Sequence, residues 1–142
     1  MKKSSKKKLT NYKKYKLTIF VASFFILLVA ALLIYRYYRV NEIKDHQGIT
    51  IGRITGAQNL YKPPAYDLKY SYQVDNKDFQ NVSSGTSVKS YNVKYFLWKD
   101  FPVIYSIRKP EIASILILPT DFEMWDIPFP DSLSWVIPYE KY

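Results

Sequence analysis

The stretch LTIFVASFFILLVAALLIY, from Leu17 to Tyr35, contains no charged side chain over nineteen residues. As an α-helix it would extend about 28 Å at 1.5 Å per residue, which matches the ~30 Å hydrocarbon core of a bilayer. Length and composition together predict a transmembrane helix over residues 17–38, if the aromatic and basic residues after the apolar stretch are included. We therefore expect an integral membrane protein whose first partner is the lipid bilayer.

The way this apolar stretch ends distinguishes an uncleaved membrane anchor from a cleaved signal peptide. A signal peptide has an apolar core of about 7–15 residues and a small-residue cleavage site. Ala30 and Ala31 are the only small pair near the end, and apolar residues continue past them to Tyr35. Tyrosine rings and arginine side chains then fit the membrane interface. The pattern favours an uncleaved anchor. The residues expected at its membrane–water interface are Tyr35, Arg36, Tyr37, Tyr38 and Arg39.

Charge is distributed unevenly along the chain, whose formal net charge is +9. Residues 1–16 hold eight lysines and no acidic residue, whereas residues 41–142 hold 11 basic and 12 acidic side chains. The folded part is thus almost neutral, which argues against nucleic-acid binding. By the positive-inside rule, the basic tail of residues 1–16 predicts a cytoplasmic N-terminus and an external C-terminal domain. Attraction of these lysines to anionic lipid headgroups is a further role that the pattern allows.

The sequence after the span is long enough for one domain. Residues 39–48 are polar and predict a short stalk or a frayed helix end, residues 49–118 the domain itself and residues 119–142 a C-terminal extension. The chain has no cysteine, which excludes disulfides, thiolate metal sites and thiol nucleophiles. The absence of cysteine and the abundance of Lys, Tyr, Ile and Asn are typical of a bacterial chain, so we expect a bacterial plasma membrane.

The clearest β signal is the alternation of apolar and polar residues from Tyr66 to Val74, which predicts a strand with one buried face. Asp75 and Asn76 follow, and asparagine tolerates the positive φ of a tight turn. This predicts a hairpin whose second strand is Lys77–Ser83. The apolar positions of the first strand are Tyr66, Leu68, Tyr70, Tyr72 and Val74.

Three further strands are predicted from short runs rich in β-branched residues, and polar or proline-containing segments between them predict loops. The run at residues 91–98 is too short to assign to a helix or a strand. We expect an antiparallel sheet of five or six strands, open or curled into a partly closed barrel. The strands are predicted at residues 49–55, 102–107 and 113–118, and the loops at residues 56–64, 83–90 and 108–111.

The C-terminal extension contains four prolines, which argue against regular structure there. We expect it to wrap over the sheet or to lie exposed as a contact surface. Its aromatic rings are candidates for a partner surface, with core packing as the alternative role. These residues are Trp125, Phe129, Trp135 and Tyr139.

The order of these segments resembles an uncharacterised family of membrane-anchored small β domains, a domain of unknown function. The matching residues are Gly48–Thr55, Tyr66–Phe79 and Val103–Leu116, with Pro110 in the position of that family's turn proline, and they cover about half of the exposed domain. The resemblance implies the fold. It implies no catalytic residue, because the family has no established activity.

The chain shows no motif of catalysis or of cofactor binding. His46, the only histidine, lies beside Asp45, but no nucleophile is tied to this pair. The glycines form no phosphate-binding pattern, so we expect no nucleotide cofactor. The acidic group near the C-terminus lacks the spacing of a calcium loop, so we expect no metal. That group comprises Asp121, Glu123 and Asp126.

We therefore expect a non-enzymatic binding, scaffold or accessory module at the membrane surface. Its partner would bind at an open edge strand or at the aromatic extension. An immunity or inhibitor protein that neutralises a toxin at the membrane is the alternative class. An enzyme that uses Asp67 or Asp78 is a third class, disfavoured because the alternation places Asp67 on the wet face. The span has no G-x-x-x-G motif, so its sequence leaves the oligomeric state open.

Overall fold

A computed structural model describes residues 3–58, 67–83, 88 and 90–139 of the chain. It divides the chain into two compact units, Met1–Val40 and Asn41–Tyr142. Parts of two predicted loops lie outside the described residues, namely residues 59–64 and most of residues 83–90. The first alternating tyrosine, Tyr66, also lies outside them.

A single helix, α1, runs from Lys3 to Asp45. Its part Thr18–Asp45 has a mean hydropathy of 2.7 in its most apolar window, and none of that window is buried inside the protein. Among the residues that the structure describes, one helix is therefore long and apolar enough to cross a membrane. The helix continues past the predicted end of the span at residue 38.

The second unit begins inside the predicted stalk. Ile43 is buried, and the first strand begins at Gln47, two residues after the helix ends. Residues 39–48 are therefore not a separate stalk: they form the last helical turns, one linking residue and the start of a strand. The polar composition that suggested a stalk belongs to the solvated side of this helix end, because Lys44 and Asp45 are exposed.

The second unit contains a five-stranded antiparallel sheet with the strand order β3-β2-β1-β4-β5. The predicted fold class, one long apolar helix followed by a small curled antiparallel sheet, is confirmed. The third predicted loop, residues 108–111, is also found as the turn between the last two strands. The strands are β1 (Gln47–Gln58), β2 (Asp67–Val74), β3 (Lys77–Ser83), β4 (Asp100–Ser106) and β5 (Ala113–Ile115).

The β2–β3 hairpin forms as predicted. Asp75 and Asn76 have φ values of 49° and 61°, the positive values that a two-residue hairpin turn needs. Tyr72 lies opposite Phe79, and their rings stack with centroids 5.6 Å apart. The alternation along β2 thus places one set of side chains in the core, and we call this face of the sheet the inner face. Its buried members on β2 are Leu68, Tyr70, Tyr72 and Val74.

The central strand β1 has a different pattern, because its inner face carries two glycines. A Cβ atom on Gly48 would lie 2.6 Å from Cζ of Tyr105, and one on Gly52 would lie 2.6 Å from Cγ2 of Val103. Such separations are far shorter than van der Waals contact. Side chains of β4 therefore lie directly over the backbone of β1, and the glycines make this close approach possible.

Two hydrogen bonds connect the far side of the sheet to the turn between β4 and β5. The hydroxyl of Tyr72 donates to the carbonyl oxygen of Pro110 at 2.5 Å. The side-chain amide of Asn81 donates to the carbonyl oxygen of Glu111 at 3.1 Å. Because β3 and β5 are the two edge strands, these contacts curl the sheet into a half-barrel.

The C-terminal extension is not irregular, contrary to the expectation from its four prolines. It forms helix α2 (Pro119–Glu123) and a 3₁₀ helix, Asp131–Tyr139. Pro119 occupies the first turn of α2, where no backbone N–H is needed, so this proline is compatible with the helix. The segment packs on the domain, and four of its side chains are buried: Phe122, Trp125, Leu133 and Val136.

The segment left unassigned, residues 91–98, is mostly a 3₁₀ helix, Ser90–Tyr95, followed by a turn into β4. We call it the first 3₁₀ helix and Asp131–Tyr139 the second 3₁₀ helix. Neither contains an amphipathic period long enough to detect in a sequence.

We predict that Gly52→Ala destabilises the domain by about 1–3 kcal/mol, because the added Cβ overlaps Val103 and the backbone oxygen of Ser71. Chemical denaturation of the full chain, followed by circular dichroism in the near ultraviolet, measures this change. Gly56→Ala is the matched control, since its nearest neighbour lies 3.9 Å away. Equal stability of the two variants would contradict the close approach.

Candidate functional site

An aromatic cluster joins the first and second 3₁₀ helices at one end of the sheet. Phe96 lies at its centre, with ring centroids 6.1 Å from Phe101, 5.7 Å from Trp135 and 5.5 Å from Tyr139. The rings of Tyr95 and Tyr139 are tilted by 33° relative to each other, with centroids 5.3 Å apart. The cluster is therefore one contiguous set of rings contributed by three separate segments of the chain.

The rings of this cluster extend from the core to the solvent. Phe96 and Phe101 are fully buried, whereas Trp135 is 39% and Tyr95 is 45% exposed. The ammonium group of Lys94 lies 5.0 Å from the centroid of the Tyr95 ring, in a cation–π contact. The buried rings hold the exposed ones in place, so the outer rings are presented on a rigid support.

Trp98 lies in the turn that follows Phe96, and its backbone has the unusual φ value of 63°. Its side chain is 68% exposed and contributes little to the core. The conformation is held by two hydrogen bonds: the Trp98 N–H donates to the oxygen of Ile54 at 2.8 Å, and the Ile54 N–H donates to the oxygen of Lys99 at 3.1 Å. A bulky residue in the left-handed region costs about 1–2 kcal/mol.

The same hydrogen bonds explain why the turn forms at this position. The register between β1 and β2 shifts between Ile54 and Gly56, which marks a β-bulge. The bulge lies next to the point where Ile54 bonds to the turn. Bulge and turn together direct Trp98 away from the core. We use the name aromatic surface for the exposed or half-exposed rings of the two 3₁₀ helices and of the turn that follows the first: Tyr95, Trp98, Trp135 and Tyr139.

The four aromatic residues proposed from the sequence are placed in two different environments. Trp125 is only 7% exposed and belongs to the core. Phe129 is half-buried and makes an edge-to-face contact with Phe122 at 5.2 Å. Trp135 and Tyr139 lie together in the aromatic surface, with ring centroids 6.4 Å apart. The structure thus assigns two of the four to packing and leaves two at the candidate surface.

The two other members of the aromatic surface were missed by the sequence analysis. Tyr95 and Trp98 lie in the run that could not be assigned to a helix or a strand. No short sequence pattern signals that a tryptophan adopts positive φ, since glycine and asparagine are the residues that usually do so.

Two of the groups considered for catalysis or metal binding, His46 and Asp121, have structural partners. Nε2 of His46 lies 2.8 Å from Nη1 of Arg108, and the guanidinium is the donor in this contact because arginine has no acceptor atom. The carboxylate of Asp121 accepts from the backbone N–H groups of Ile117 and Leu118 at 3.0 and 2.9 Å. No group of three metal-ligating side chains converges in the part of the chain that the structure describes.

One ion pair lies on the outer face, the side of the sheet opposite the inner face. Nε and Nη2 of Arg53 donate to the two carboxylate oxygens of Asp100 at 2.6 and 2.9 Å. This hydrogen-bonded guanidinium holds the pKa of the Asp100 carboxyl below its usual value of 3.8. The pair is solvent-exposed, so we assign it a positional role between β1 and β4 and little stability.

Comparison of the chain with family models, with curated proteins and with solved structures returned no match. The resemblance to a family of membrane-anchored β domains therefore stays a prediction.

We predict that Trp98→Asn leaves the free energy of unfolding unchanged or raises it by up to about 1 kcal/mol, because asparagine tolerates positive φ. Trp125→Ala is expected to lower it by about 3–5 kcal/mol, as for other buried aromatic residues. Urea denaturation of both full-length variants measures the difference. A loss of more than about 2 kcal/mol in Trp98→Asn would show that this ring is needed for packing.

The ion pair predicts a pH effect with a defined sign. The folded pKa of Asp100 is depressed, so its contribution is present above the unfolded value of 3.8 and is lost as pH falls through the folded pKa. Nuclear magnetic resonance titration of the Asp100 carboxyl is expected to show a higher midpoint in Arg53→Gln than in the wild type. Identical midpoints would rule out the pair in solution.

Proposed function

We propose that this chain is a single-pass membrane protein whose β domain acts by contact with another protein, as a binding, scaffold or accessory module and not as an enzyme. The aromatic surface is the contact site. The observation that carries the proposal is Trp98, a large ring that is exposed and held in an unfavourable backbone conformation.

The anchor and its orientation are supported by composition. Helix α1 is long and apolar enough to span a bilayer. The eight lysines of residues 1–16 outnumber the basic residues that directly follow the span, namely Arg36, Arg39 and Lys44. We infer a cytoplasmic N-terminus and an external β domain. Composition favours the bacterial plasma membrane as the location.

The structure of this chain alone does not account for Trp98. The ring is 68% exposed, so hydrophobic burial within this chain does not account for a tryptophan here. Glycine or asparagine would adopt the same φ with less strain. Backbone strain of this kind accumulates at binding sites, where the strained residue acts on a partner. The remaining explanation is contact with another molecule.

The neighbouring rings fit this role. Tryptophan and tyrosine are enriched among the residues that contribute most to protein–protein affinity, because they combine a large apolar area with few rotatable bonds. Trp135 and Tyr139 are pre-organised by their contacts with Phe96. Such a surface loses little side-chain entropy when a partner binds.

The aromatic cluster also connects this surface to the interior of the domain. Trp135 touches Phe96 and Phe101, both of which are fully buried. A partner that binds Trp135 only when this ring is in its native position binds the folded domain and not the unfolded chain. Such a partner therefore also stabilises the folded domain, by linkage between binding and folding. In a domain without disulfides, this coupling makes the bound form more resistant to unfolding and to proteolysis than the free form.

The proposal is tested by photo-crosslinking in the native membrane. A photoreactive phenylalanine replaces Tyr95 in the full-length protein, and the expected result is a discrete protein adduct. The matched control carries the same residue at Gln80, which is also exposed but lies on β3. Adding Trp98→Asn to the Tyr95 probe is expected to reduce the adduct roughly tenfold, as for a residue worth about 1.4 kcal/mol of binding.

Two results would overturn the proposal. The first is equal adduct formation from the Tyr95 and Gln80 positions, which would indicate random collision. The second is an adduct that Trp98→Asn does not change. Mass spectrometry that identifies the crosslinked protein also distinguishes the two classes of function. A component of a cell-envelope assembly indicates an accessory module, whereas a toxin indicates an immunity protein.

A further inference from the structure

Two lysines lie among the rings of the aromatic surface, and both are exposed. Lys94 directly precedes Tyr95, and its ammonium group lies 5.0 Å from the centroid of that ring, which keeps the charge beside it. Lys99 directly follows Trp98. The N–H of Lys99 donates to the oxygen of Phe96 at 3.2 Å, so its backbone is fixed by the same turn that presents Trp98. The surface therefore combines large rings with two positive charges.

Neighbouring acidic residues do not neutralise these two charges. Two described acidic residues lie on or next to the segments that carry the rings, and Glu140 lies outside the described residues. Asp100 already forms the ion pair of the outer face. Asp131 lies in the first turn of the second 3₁₀ helix, where free backbone N–H groups stabilise a carboxylate. Among the residues that the structure describes, neither Lys94 nor Lys99 forms an ion pair.

The positive charge is local to this surface. Residues 41–142 as a whole hold 11 basic and 12 acidic side chains, so the domain has almost no net charge. An acidic partner is therefore not attracted to the domain in general. It gains attraction where basic side chains lack a neighbouring acid, and it is directed to that face during diffusional encounter.

The position of the aromatic surface in the domain bears on whether its partner is a protein or a lipid. Strand β1 begins at Gln47, two residues after α1 ends, and Trp98 donates to it at Ile54. Ile54 lies seven residues after Gln47, a distance of about 23 Å at ~3.3 Å per residue of strand. The lipid of the anchoring bilayer is nearest to the residues that directly follow the span. This separation favours a protein over that lipid.

We propose that the partner of the aromatic surface presents an acidic protein segment, with carboxylates beside an apolar side chain. This inference rests on the proposed function, because it names the chemistry of the partner that the surface binds. The apolar group packs on the exposed parts of Trp98 and Trp135, which are 68% and 39% exposed. The carboxylates lie at the rim, against Lys94 and Lys99.

Rings and lysines have different tasks in this contact. Trp135 and Tyr139 are held by their contacts with the buried ring of Phe96, so they offer apolar area at a low cost in side-chain entropy. Charges at the rim of a contact act mainly on the association rate and on the choice of partner. The rings thus supply most of the affinity, and the lysines select an acidic partner over a neutral or basic one.

The test removes the two charges without removing a ring. Full-length protein with a photoreactive phenylalanine at Tyr95 is irradiated in its native membrane, and the protein adduct is quantified. One variant combines Lys94→Gln with Lys99→Gln. Its matched control combines Lys94→Arg with Lys99→Arg, which keeps both charges. A second control combines Lys69→Gln with Lys77→Gln and removes two exposed lysines of β2 and β3.

The glutamine pair at positions 94 and 99 is expected to lower the adduct yield roughly tenfold, whereas both controls stay close to the wild type. Raising the salt concentration from about 0.1 M to about 1 M shortens the Debye length from ~10 Å to ~3 Å. We expect this change to lower the wild-type yield and to have little effect on the glutamine pair. Mass spectrometry is expected to place the adduct in a partner segment with net negative charge, and circular dichroism establishes that all variants fold.

Each part of the inference has a result that would overturn it. An adduct that Trp98→Asn reduces and the glutamine pair at positions 94 and 99 does not would retain the proposed contact but exclude an acidic partner. Equal losses in that pair and in the pair at positions 69 and 77 would indicate an effect of net charge alone. A neutral or basic crosslinked segment would also exclude an acidic partner, and an adduct to phospholipid would assign the surface to the membrane. No adduct from the Tyr95 position would overturn the proposed function together with this inference.

Discussion

The close approach of β4 to the backbone of β1 is the constraint on which the rest of this domain depends. Gly48 and Gly52 provide no side chains on the inner face, so Tyr105 and Val103 lie directly over the strand. The core is then filled by the neighbouring strands and by Ile54, which is fully buried. Because the inner face of β1 has no room for large side chains between these glycines, Ile49 and Ile51 are found on the other face.

Much of the architecture can be predicted from the sequence, because it is encoded in features longer than a few residues. The apolar stretch from Leu17 to Tyr35 indicates a membrane-spanning helix by its length alone. The alternation along β2 indicates which of its faces is buried. Asp75 and Asn76 mark the turn, since these residue types tolerate the φ values that the hairpin has. These signals are local and do not depend on tertiary contacts.

The parts that could not be predicted depend on contacts between distant residues. The number of prolines in the C-terminal extension, four, suggests irregular structure. Pro119, however, lies in the first turn of α2, a position at which a helix accepts proline. The division of the aromatic residues between core and surface is a property of packing: Trp125 and Trp135 are ten residues apart in similar sequence contexts, and only one of them is buried. The φ value of Trp98 follows from the hydrogen bonds of Ile54 to a turn more than forty residues away in the chain.

The position of the C-terminal extension in the chain has a consequence for biosynthesis. The side chains of Phe122, Leu133 and Val136 are part of the core, but the ribosome adds them only after all five strands have been made. Until then the apolar surface that these side chains cover stays exposed and open to aggregation. The domain therefore completes its fold late, when the final helices reach it, and a nascent chain needs protection during that interval.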